Sequence, residues 1–215
     1  MAHPPMDQMD QADHAQLALT SHPVMSPDFT LRPARESDIP ALNAIHAHYV
    51  QHTVATFTTT PLRDIDFLVA FRTVRAAKLP YLVAAHASNA PIGYVYVSPF
   101  RGAKQAYRQT VEFSIFCHPD HKGKGIGSAL LERLLAVLRN PEEWGEEWIG
   151  AVWRGDEGRV RQVIGCMALD EQGRKGGWGL KEFYEDFGFK QSGHLKGVGK
   201  KFDRWIDTVY MQLSL

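Results

Sequence analysis

Residues 118–138 read HPDHKGKGIGSALLERLLAVL. Gly123, Gly125 and Gly127 alternate with Lys124 and Ile126, directly ahead of a Leu-rich segment. Leu130, Leu131, Leu134, Leu135 and Leu138 recur at helical spacing and predict one apolar face. The stretch before the loop, TVEFSIFCHP, reads as a strand ended by Pro119. Strand, glycine loop and amphipathic helix in that order call for a sheet with a helix packed on it. A helix N-terminus carries unpaired N–H groups and roughly half a positive charge. Glycines ahead of it let the backbone approach an anion closely. Lys122 and Lys124 add mobile positive charge. The loop therefore reads as a phosphate seat, for a diphosphate. It is not a P-loop, because no Lys follows Gly127 before Ser128. The spacing is GxGxG, which also fails the GxGxxG dinucleotide pattern.

The remaining segments supply the rest of the sheet. FTLRPA reads as a strand, and Ser37 as the cap of a helix carrying Ile39, Leu42, Ile45, Tyr49 and Val50. A second helix is expected over RDIDFLVAFRTVRAAK. YLVAAHA and IGYVYVSPF read as strands around the turn NAPIG. WIGAVW is expected as the strand after the Leu-rich helix, followed by an insertion at 154–177. The helix WGLKEFYEDF comes next, then two closing strands.

Composition excludes several classes. A chain of 215 residues suits one domain. Lys plus Arg and Asp plus Glu are both 24, so nothing points to nucleic acid or an anionic membrane. No apolar run reaches the ~20 residues of a membrane span. Residues 1–27 are polar and without period, and are expected as a disordered tail rather than a signal peptide. Cys117 and Cys166 form no CxxC, which fits a reducing compartment; a cytoplasmic protein is expected. His46, His48 and His52 lack carboxylate partners at ligand spacing, so no metal is expected.

The run VEFSIFCHPDHKGKGIGSALLERLL resembles the acetyl-CoA signature of the GNAT superfamily of N-acetyltransferases, with Lys122 where that signature has Gln or Arg. EFYEDFGF, with Tyr184, Gly188 and Phe189, is similar to the family's late helix. LRPARESDIPALNAIHAHYVQHTVATF, SPFRGAKQAYRQTVEFSIF and GVGKKFDRWIDTVYMQLSL resemble the phosphinothricin acetyltransferase branch. The resemblance spans residues 29–215 and implies one GNAT domain over 28–215. The fold class it implies is α/β (α+β): a mixed, mostly antiparallel twisted sheet flanked by helices, with splayed central strands. It also implies acetyl-CoA as cosubstrate and allows a homodimer.

The resemblance assigns roles residue by residue. Lys122, Gly123, Lys124, Gly125, Ile126, Gly127 and Ser128 would hold the cosubstrate's phosphates. Ile115, Phe116 and Cys117 would pair their backbone with its pantetheine arm, the Phe116 N–H binding the thioester oxygen. Glu112 matches the proposed general base, and Tyr184 the general acid near the CoA sulfur. Such a base is needed because an amine of pKa ~8 is mostly protonated at neutral pH. Cys117 as nucleophile is set aside, since direct transfer needs no covalent step. On the acceptor side, Tyr49, Thr56 and Phe57 match a covering loop. Tyr96, Tyr107 and Trp153 are candidate pocket walls, and Arg101, Lys104 or Arg108 candidate carboxylate holders. Trp205 and Asp207 match a Trp-x-Asp pair in the last hairpin, structural as readily as functional.

The expected activity is acetyl transfer to the amine of a small molecule, first an amino acid or an amino-acid-like toxin such as phosphinothricin or methionine sulfoximine. The alternatives are a protein lysine or N-terminal acetyltransferase, and a non-catalytic acyl-CoA-binding module.

Overall fold

The structure, a computed structural model, describes residues 28–102 and 104–215. The expected tail, residues 1–27, lies outside the described residues. Seven strands form one sheet in the order β1-β2-β3-β4-β5-β7-β6. They are β1 (Phe29–Pro33), β2 (Tyr81–His86), β3 (Pro91–Pro99), β4 (Thr110–Cys117), β5 (Gln162–Leu169), β6 (Lys190–Lys201) and β7 (Arg204–Ser214). Every pairing is antiparallel except that of β4 with β5.

Alternation along the strands divides the core in two. Val95, Val97, Val111, Phe113, Val163, Met167, Val209 and Met211 belong to one buried cluster. Helix α3 (Ile126–Arg139) covers this face, and its five predicted leucines are all buried there. Tyr81, Val83, Tyr94 and Phe116 belong to the other cluster, under α1 (Ile39–His52) and α2 (Asp64–Ala76). A short turn, α4 (Gly155–Gly158), and the late helix α5 (Gly179–Asp186) complete the helices.

Two local expectations are corrected. The start of α1 is fixed by Asp38 rather than by Ser37. Asp38 accepts the Arg35 N–H at 2.8 Å and a two-pronged pair from Arg32 at 2.8 Å. A carboxylate there serves as anchor and as counter-charge to the helix end. WIGAVW is not a strand: Ala151–Trp153 is a 3-10 turn. The strand that pairs with β4 is Gln162–Leu169, inside the segment read as an insertion at 154–177. QVIGCMAL alternates, with Val163, Gly165, Met167 and Leu169 inward, but flanking glycines and charges obscured the period.

β6 and β7 form the closing hairpin. Asp207 ties it together, accepting from Gly197 N–H at 2.8 Å, His194 Nε2 at 2.8 Å and Lys196 Nζ at 3.0 Å. The Gly197 N–H, the Lys196 ammonium and His194 hold its carboxyl down to about 2. Trp205 is exposed. Of the two, Asp207 is the one that ties the hairpin.

Candidate active site

The site begins where the central pairing stops. β4 and β5 run parallel from Thr110 opposite Gln162 to Phe113 opposite Gly165, and no further. Beyond that point the strands separate. The gap is a cleft of about 260 Å³, lined by Phe113 to Phe116 on one strand and Cys166 to Ala168 on the other. Thr53, Val54 and Ala55 close one side, and Leu180 and Tyr184 the other.

Ladder parity decides which backbone groups face this gap. Phe100 N–H donates to Thr110 C=O, and His118 N–H to Ile92 C=O. In an antiparallel pair, bonded residues alternate. Residues 112, 114 and 116 therefore turn their backbone groups toward β3, and 113, 115 and 117 toward β5. The Phe116 N–H thus faces Tyr94 and is taken by the ladder, which corrects its expected contact with the thioester oxygen. The Ile115 N–H and C=O face the cleft past the last β4–β5 pair. The Cys117 groups are occupied. The Tyr49 hydroxyl accepts the Cys117 N–H at 3.3 Å and donates to the Cys117 C=O at 2.8 Å.

The same alternation puts the two candidate catalytic side chains on opposite faces. Glu112 shares a face with Ser114 and Phe116, between Ser98 on β3 and Ile164 on β5. Burial raises its carboxyl above the usual glutamate range. Tyr184 lies on the α3 side, its ring edge-on to Phe113 at 5.3 Å. Burial pushes its hydroxyl well up, so it holds its proton at neutral pH. Tyr184 lines the cleft, and Glu112 adjoins Phe113 at its edge.

The glycine loop lies at the other end of β4. Gly123 and Gly125 have φ of +76° and +74°, and a Cβ on either would meet no atom within 4 Å. The space over the loop is open, and glycine there removes backbone strain rather than a clash. Gly125 is the N-cap of α3, and the first helical bond runs from Ala129 N–H to Gly125 C=O. The N–H groups of Ile126, Gly127 and Ser128 precede that bond and are left for a ligand. The Lys122 ammonium sits 5.8 Å from the Tyr49 ring centre, and Lys124 Nζ 3.5 Å from His121 Nδ1. Open cradle, free donors and two lysines fit a diphosphate.

The remaining predicted residues divide. Thr56 and Phe57 lie on the segment after α1, the Phe57 ring against Gly199. Tyr96 lines a separate aromatic pocket under α2, with Tyr81 and Tyr94. Tyr107 and Arg101 line an open groove with Thr110, Ile164 and Tyr210, beside Glu112. Trp153 is elsewhere: its indole N–H donates to Ala77 C=O at 2.8 Å, and it packs on the α3 side of the core. The cleft residues of β5, with Tyr210 opposite Cys166, were missed because the strand was placed at WIGAVW. Burial pushes the Cys117 thiol up to about 11 and raises Cys166 as well. Both stay protonated at neutral pH, which disfavours a cysteine nucleophile. Among the described residues no group of three or more His, Cys, Asp or Glu could hold a metal ion, and no helix is long and apolar enough to cross a membrane.

A splayed parallel pair beside a glycine loop on a helix N-terminus defines an acyl-CoA-dependent transferase site. The model of the Acetyltransferase (GNAT) family matches residues 42–148. The phosphinothricin N-acetyltransferase of Alcaligenes faecalis is 37% identical over 186 residues, 86% of this chain and 82% of that protein. The L-methionine sulfoximine/L-methionine sulfone acetyltransferase of Pseudomonas aeruginosa is 30% identical over 186 residues, 86% of this chain and 94% of that protein. The structure of a Sinorhizobium meliloti phosphinothricin acetyltransferase in complex with AcCoA superposes with TM-score 0.70 at 33% identity, over 87% of this chain and 89% of that one. The chain belongs to the GNAT acetyltransferase family and is an acetyl-CoA-dependent N-acetyltransferase.

Proposed function

We propose that this enzyme acetylates the α-amine of an amino acid or an amino-acid-like toxin of the phosphinothricin and methionine sulfoximine type. One observation carries the reading: a cleft at the β4–β5 splay lined by the protonated phenol of Tyr184, with the raised carboxyl of Glu112 on β4 next to Phe113 at the cleft's edge and on the opposite face of the sheet. Acetyl-CoA supplies the thioester. Lys122, Lys124 and the N–H groups of 126–128 hold its phosphates, and Ile115 offers its backbone to the pantetheine arm. The amine enters from the α1–α2 face. Glu112 takes its proton, directly or through water, which frees the lone pair for attack. The C–N bond forms, the C–S bond breaks, and Tyr184 gives a proton to the leaving sulfur; the second proton lost from the amine nitrogen passes through water to restore the Tyr184 hydroxyl, while the first leaves Glu112 to solvent. Arg101 and Tyr107, in the groove beside Glu112, suit an acceptor carboxylate and its neighbouring carbons. The relatives' activities on phosphinothricin and on methionine sulfoximine or sulfone support this acceptor class. A homodimer and a cytoplasmic location belong to the same reading.

The test is free-thiol release from acetyl-CoA against amino acids, phosphinothricin, methionine sulfoximine, polyamines and peptides. Turnover confined to free amino acids and their analogues is the expected result. Turnover only with peptides overturns it in favour of a protein substrate, and CoA binding without any turnover in favour of a sensor.

A further inference from the structure

Lys201 is a lysine with 5% of its surface exposed, at the end of β6. Burying an ammonium is costly unless its donors are met. Here Nζ donates to Thr56 C=O at 2.7 Å and approaches Tyr49 C=O at 3.5 Å. The second acceptor lies in the last turn of α1, where it also takes the Thr53 N–H at 3.2 Å and the Thr53 hydroxyl at 3.0 Å, and where the helix dipole favours a cation. The first lies on the segment that leaves α1 and closes the cleft with Thr53, Val54 and Ala55. Two residues back along the same strand, and so on the same side of it, is Gly199. A Cβ at Gly199 would run into the ring of Phe57, the next residue of that segment. One strand thus grips two consecutive residues of the covering segment, one by charge and one by close approach.

We propose that Lys201, seconded by Gly199, is a positioning residue for the amine: it fixes segment 53–57 over the cleft and so sets acceptor affinity. This rests on the reading that the amine enters beneath that segment. The phosphate loop is built on β4 and α3 and does not depend on the clamp. Losing the clamp should therefore cost the amine more than acetyl-CoA, whose phosphates are held outside the cleft.

The experiment compares the full-length wild type with Lys201→Met, Lys201→Arg and Gly199→Ala. Amide hydrogen exchange of residues 53–58 needs no turnover. In Lys201→Met it should quicken about tenfold, as local opening becomes easier, while α3 is unchanged. In steady-state kinetics the amine KM should rise about tenfold, the worth of one charge-assisted hydrogen bond, with the acetyl-CoA KM within about twofold. Lys201→Arg should recover part of both effects. Unchanged exchange at 53–58, or an equal rise in both KM values, overturns the proposal. If Lys201→Met does not fold, Gly199→Ala decides by the same split. If the wild type turns over no amine, the proposed function fails, and the exchange result alone decides the clamp.

Discussion

The Tyr49 hydroxyl closes the end of β4, bonding both the N–H and the C=O of Cys117, at 3.3 Å and 2.8 Å. A residue of α1 thereby replaces the strand partner that β5 withdraws beyond Phe113. Tyr49→Phe leaves two backbone groups unpaired. Each unpaired buried group costs about 1–3 kcal/mol. A lower urea midpoint with unchanged m-value is expected, and an unchanged midpoint would show that water replaces the hydroxyl.

Tyr184→Phe removes a proton donor and leaves the ring packing against Phe113 and Phe189. A general acid contributes about 10²–10⁴-fold, so kcat should fall by about that range. Acetyl-CoA binding, read by calorimetry, should stay as it was.

Glu112 must be ionised to accept a proton, and burial raises its pKa. The pH profile of kcat/KM should lose activity on the acid side at a pH above the ordinary glutamate range, and recover as pH rises through the raised value. Glu112→Gln should abolish that limb and depress the plateau. A limb that survives in the variant assigns the titration elsewhere.

Gly125→Ala adds a methyl into open space but at φ +74°. The left-handed region costs about 1–2 kcal/mol for an L side chain. The loop should relax, and the acetyl-CoA KM should rise about fivefold to thirtyfold with the amine KM little changed. Equal loss for both substrates would mean that the change spreads beyond the loop.

The Cys117 thiol, pushed up to about 11, is thiolate in about one molecule in a thousand at pH 8. Alkylation by iodoacetamide should be slow, and Cys117→Ser should keep turnover within about threefold, as direct transfer requires. Loss of turnover in Cys117→Ser, with the fold intact, would reopen a covalent route.

The sequence by itself determined the elements whose signal is local. The five leucines of α3 announce a buried helix face because their period needs no partner to be read. The alternating glycines before it announce an anion seat because the helix end and the backbone freedom lie within a few residues. Glu112 and Tyr184 are candidates from motifs that lie along the chain, and the structure adds which face of the sheet each occupies. The tertiary structure decided everything that depends on which strand stands beside which. β5 lies among glycines and charges, and only its pairing with β4 and β7 distinguishes it from the WIGAVW segment. Ladder parity, set by the register of β3 on β4, turned the backbone groups of Ile115, and not those of Phe116, toward the cleft. Tyr49 with Cys117, and Lys201 with Thr56, join residues 68 and 145 positions apart. Contacts across such separations leave no periodicity in the chain. They exist because burying both faces of one sheet brings its first helix, its central strand and its last hairpin to the same place.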